Sequence, residues 1–98
     1  MKKKSSIKKH PYINAGGTTV LDKSEILGIF DLDNSSTKTD TKRYLASMEH
    51  SGHLEMLGSD IPKAFVVTVK DSKRQKVYMT TLSSASLYGR WKRQSKYL

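Results

Sequence analysis

Seven residues, Ala64-Phe65-Val66-Val67-Thr68-Val69-Lys70, restrict what this chain can fold into more than any other stretch. Four consecutive β-branched residues follow Phe65, and such side chains fit a pleated surface far better than a helix. Phe65, Val67 and Val69 alternate with Val66, Thr68 and Lys70, so the segment has apolar residues for both faces of a sheet. Pro62 stands just before it, where a strand begins. Asp71–Gln75 reads as a five-residue polar loop, and Lys76–Thr80 as the returning antiparallel partner with Val77 and Met79 on one face. The chain is therefore expected to be built around a hairpin.

The remaining elements follow from the same kind of reading. Residues 1–10 read as a flexible basic arm, closed by His10-Pro11, and residues 11–98 as one domain. Tyr12-Ile13-Asn14 is a first short strand, turned by Gly16-Gly17 into a second at Thr18–Leu21. Asp22–Glu25 is a polar bend. Ile26–Asp31, nearly continuous in apolar residues, predicts a third strand buried on both faces. After a loop of Asp, Asn, Ser and Thr at 33–37, Thr39 or Asp40 caps a helix running to about His50. Thr41, Leu45 and Met48 form its inward side, and Gly52 terminates it. Leu54–Leu57 is a minor strand. Ser83 or Ser84 caps a final helix with Leu87 and Trp91 on one side, and Gly89 weakens it by about 1 kcal/mol of propensity. The sum is an α+β class: a small, mostly antiparallel sheet of short strands with a central and a C-terminal helix. No nucleotide-binding βαβ pattern and no helix-turn-helix pair is present.

A domain of 98 residues with 36% hydrophobic residues buries a limited core and gains from having partners cover part of its surface. Self-association is thus an expectation of size alone. The chain has no cysteine, which removes disulfides, thiolate metal sites and cysteine nucleophiles and suits a reducing compartment. The lysine-rich start is followed by no apolar run of about 7–15 residues, and nothing approaches the ~20 residues that span a bilayer. A cytoplasmic protein with no membrane partner is expected.

The formal net charge is +9, and its location is more telling than its size. Residues 1–10 hold five lysines and no acid; residues 90–98 hold Arg90, Lys92, Arg93 and Lys96 and no acid. Between them, nine basic residues balance nine acidic ones. Concentrated positive charge binds phosphates by releasing their counterions. A solubilising tail is the rival reading for the first ten residues, but the C-terminal cluster interleaves arginine with Trp91 and Tyr97, which solvation does not require.

Catalytic and metal-binding patterns fail when tested. Asp31-Leu32-Asp33-Asn34-Ser35 opens like a calcium loop, yet the glycine position is Ser36 and the twelfth is Lys42. His50 and His53 lie across a helix end and a turn, a poor frame for a metal. The Ser83-Ser84-Ala85-Ser86 run lacks a nucleophile elbow, and Gly16-Gly17 lacks phosphate-loop spacing. No enzyme activity and no cofactor is implied. The candidate site is basic: Lys63 before the main strand, Lys42 and Arg43 on the first helix, Arg74 at the hairpin tip, Arg90, Lys92 and Arg93 at the C-terminal end, and Lys8 and Lys9 in the arm.

Tyr12-Ile13, a glycine turn, Val20, Ile26-Leu27-Gly28-Ile29-Phe30-Asp31, Pro62-Lys63-Ala64-Phe65-Val66-Val67-Thr68-Val69 and Leu82-Ser83-Ser84-Ala85-Ser86-Leu87 stand in an order and spacing that resembles the RemA/RemB family. These are bacterial regulators of extracellular-matrix (biofilm) genes. The likeness runs over residues 12–93, is closer to the RemB branch, and fades through the first helix and the loop before it. The resemblance implies an α+β protomer, a ring-like homo-oligomer, and DNA binding over a broad surface of that assembly in the service of transcription. Three departures are plain. Where RemA-type members carry an adjacent arginine pair ahead of the main strand, this chain has Asp60-Ile61 and then Lys63. A further arginine of that branch falls near Glu25, and a proline at the start of the first helix is replaced by Thr39 or Asp40. Fold and assembly therefore carry over better than the DNA contacts, leaving Lys63 and the terminal clusters to bear the load. The competing expectation is a self-assembling protein-interaction scaffold that binds no DNA.

Overall fold

The structure, a computed structural model, describes residues 12–32, 38–71 and 74–95. The fold is α+β. Strands β1 (Tyr12–Gly16) and β2 (Thr19–Asp22) pair as an antiparallel hairpin. A second, four-stranded sheet contains β3 (Ile26–Asp31), β4 (Leu54–Leu57), β5 (Ala64–Lys70) and β6 (Arg74–Thr80) in the order β3-β5-β6-β4. Helix α1 (Thr39–His50) links β3 to β4, and α2 (Ser84–Ser95) follows β6. Among the described residues, the one pairing that departs from antiparallel is β4 with β6.

The main strand occupies the centre that its composition demands. All of Ala64–Thr68 is buried, and the alternation divides these residues between two apolar clusters. On one face Phe65, Val67 and Val77 pack beneath α1 through Leu32, Tyr44, Leu45, Met48, Leu54 and Met79. On the other, Ala64, Val66 and Ile29 join Ile13, Ala15 and Leu21 of the hairpin and Leu87 of α2. Each fully buried Val, Leu, Ile or Phe among them contributes about 1.5–3 kcal/mol. The molecule is thus layered as helix, sheet, and hairpin with helix.

Thr80 fastens the hairpin to the sheet. Fully buried, it donates its Oγ1 hydrogen to the Ala15 carbonyl at 2.7 Å and accepts the Leu82 N–H at 3.1 Å. Gly16 makes that approach possible: its φ is +144°, and a Cβ there would lie 2.8 Å from Thr80 Oγ1.

Three expectations need correction. The third strand is not buried on both faces, since Leu27 is 59% and Phe30 42% exposed. It is an edge strand, and α1 packs over β4 and β6 instead. Neither Thr39 nor Asp40 caps α1; both lie inside its first turn, after an N-cap Lys38 with no side-chain cap bond. The hairpin turn is also shorter than five residues, because β6 begins at Arg74, which pairs with Lys70. Asp71 enters that turn with φ +56°, a conformation aspartate tolerates better than most residues. The helix ends match their signals. Gly52 N–H bonds Glu49 O and His53 N–H bonds Met48 O, a Schellman closure around φ +80°. Ser83 caps α2 by accepting the Ser86 N–H at 3.1 Å.

Candidate nucleic-acid interface

The sheet has two ends, and strand direction assigns the basic residues to them. Lys63 stands at one end, just ahead of β5. Its backbone is held on both sides, N–H to Thr80 O at 2.8 Å and carbonyl from the Leu32 N–H at 3.0 Å, so an exposed ammonium is presented on a fixed mount. Arg74 stands at the other end, beyond the full length of β5, roughly 20 Å away for seven extended residues.

That second end gathers several of the described cations. Lys70 pairs with Arg74 and Thr68 with Lys76 across the β5–β6 hairpin, and alternation puts Lys70, Arg74 and Lys76 on the face that carries α2. The helix runs toward the same end, since its Trp91 lines a shared depression with Ile26, Leu27 and Tyr88 and Ile26 pairs with Thr68. Lys92 follows Trp91 and is exposed. Lys23, in the 3-10 turn Lys23–Glu25, donates to the Trp91 carbonyl at 3.0 Å and lies 5.3 Å from its ring centroid. This cation at carbonyls near the helix C-terminus also suits the helix dipole.

Not every cation there is available. Lys76 pairs with Glu55 at 2.9 Å and sits 5.0 Å from the Tyr78 ring; its bond to the Glu55 carboxylate raises its pKa, with slight burial opposing. Arg90 uses Nη1 to donate to Asn14 O at 3.2 Å and Asn14 Oδ1 at 3.3 Å. It therefore ties α2 to the hairpin before it meets any ligand. Lys70, Arg74 and Lys92 have no ion pair among the described residues.

The structure puts Arg90 and Lys92 on α2, which packs on β1 and β3, and Arg74 at the start of β6 on the same sheet face, and it leaves the others apart. Lys63 is at the opposite end, and Lys42 and Arg43 are on α1, across the sheet. Lys8 and Lys9, and the side chain of Arg93, lie outside the described residues. Sequence reasoning missed Lys70, Lys76 and Lys23. The first two were within reach of the alternation rule, but only once the hairpin register was known.

Little else at this surface suggests chemistry. Among the described residues, no three His, Asp or Glu side chains cluster to hold a metal. His53 Nδ1 is 2.9 Å from Ser51 Oγ at the close of α1. No described helix is long and apolar enough to cross a membrane. No protein-family model matches this chain, and no curated protein does.

Proposed function

We propose that this protein is an oligomeric, cytoplasmic DNA-binding regulator of transcription, of the RemA/RemB kind and concerned with extracellular-matrix genes, acting by binding alone. The observation that carries the reading is the convergence of the β5–β6 turn and the C-terminal end of α2. Lys70 and Arg74 lie at that turn, and α2 runs toward the same end on the same face with Lys92 exposed and Arg93 next in sequence. These positive side chains come from different elements on one face of the sheet, an array that fits an extended polyanion better than one small anion. Phosphate contacts of this type orient a protein on a duplex without reading bases. Selectivity then comes from duplex shape and from the repeat of protomers around a ring-like assembly. Lys63, on its fixed mount, adds a contact from the other end of the sheet, and Lys8 and Lys9 extend the positive charge along the chain.

Gel shift with duplex DNA tests the assignment. The K70Q/R74Q/K92Q variant is expected to lose at least about tenfold in affinity at ~100 mM salt while keeping its melting temperature. Unchanged affinity would discard this surface as the binding face.

The scaffold reading draws on a different observation: Leu27, Phe30 and Ile61 are large apolar side chains left 59%, 42% and 83% exposed. A chain that assembles yet leaves DNA unshifted at ~50 mM salt would favour it.

A further inference from the structure

Helix α1 carries Lys42, Leu45, Ala46 and Glu49 along the side toward β4. Their spacing keeps them on one face. With Leu54 and Met56 of β4 and Met79 of β6 they line a depression of about 300 Å³. Met56 is 50% exposed, and Lys42, Ala46 and Glu49 are exposed as well. Neither Lys42 nor Glu49 has an ion pair among the described residues. The stripe therefore reads cation, apolar, apolar, anion. Reversed end to end, it complements itself.

We infer that this face is a two-fold self-association surface, occupied by the same face of a second copy. With the two α1 helices antiparallel, Lys42 of each protomer meets the partner's Glu49, and Leu45, Ala46 and Met56 close the apolar centre between the two ion pairs. A two-fold interface needs such self-complementarity, because one patch must recognise its own image. The sheet edges agree. At β3 a bulge interrupts the register at Leu27, and Tyr88 Oη donates to the Ile29 carbonyl at 3.0 Å, so that edge is guarded. The β4 edge beside the stripe pairs with no further described strand. The larger groove on the same face, lined by Leu27, Phe30, Tyr44, Phe65 and Val67, has Asp40 as its one charged residue among the described residues, and none of these selects an occupant.

This two-fold contact rests on the self-association within the proposed function, pairs protomers in addition to the head-to-tail contacts that a ring requires, and is independent of DNA binding. It turns Lys42 toward a carboxylate rather than a phosphate.

Sedimentation velocity on the full chain tests it. The unaltered protein is expected to sediment as a dimer or a multiple of one. E49K alone and K42E alone each set like charges against each other twice per interface, and each is expected to weaken association at least about tenfold with an unchanged circular dichroism spectrum. Mixing the two variants one to one restores both ion pairs, so the mixture is expected to associate as the unaltered chain does. A monomeric unaltered protein, single variants that associate normally, or a mixture that stays dissociated would each overturn the inference. A dimer that ignores duplex DNA would defeat only the DNA-binding reading.

Discussion

Thr80 and Arg90 show how far a side chain's role depends on partners distant in sequence. The Thr80 hydroxyl both donates and accepts inside the core. T80V keeps the shape but leaves the Ala15 carbonyl and Leu82 N–H short of a partner, and is expected to cost about 1–3 kcal/mol, read by urea unfolding. Arg90, which sequence reasoning placed among the phosphate ligands, bonds Asn14, and no local pattern connects those two positions. R90A is expected to lower the melting temperature, because α2 loses a tie to the hairpin. K92A, at an exposed position, is expected to leave the melting temperature unchanged and to flatten the salt dependence of DNA binding by about 0.9 per protomer.

At the scale of elements, the main hairpin and both helices were legible because their signals are local. These are β-branched alternation in β5, Gly52 after α1, and Ser83 before α2. G52A forces a Cβ onto φ +80° and is expected to cost about 1 kcal/mol in the same unfolding assay. What was not legible depends on strand order. Ile26–Asp31 has the composition of a central strand, yet it lies at an edge with Leu27 and Phe30 exposed. The parallel β4–β6 pair likewise exists because α1 returns the chain to begin β4 beside Val77. That pairing creates the Lys76–Glu55 contact, which raises the Lys76 pKa. Its stabilising effect is fully present below the unfolded lysine value of about 10.4 and is lost as pH rises through the higher folded value. NMR titration of the Lys76 ammonium is expected to move to lower pH in E55Q.

For the whole molecule, a four-stranded sheet with an apolar cluster on either face commits most buried residues to folding and leaves function to the surface. The cations at one end of the sheet are the part of that surface that bears on DNA. Sequence showed that positive charge was concentrated at the chain ends. It did not show that Lys70 and Arg74 share a face with α2, since that follows from the hairpin register and the helix direction together. Fluorescence anisotropy of a labelled duplex, titrated with the full chain across a range of salt concentrations, tests the central claim most directly. With Lys70, Arg74, Lys92 and Arg93 each neutralising a phosphate, log K is expected to fall against log salt with a slope of about −3.6 or steeper. A slope near zero, or no binding at ~50 mM salt by a folded sample, would contradict it.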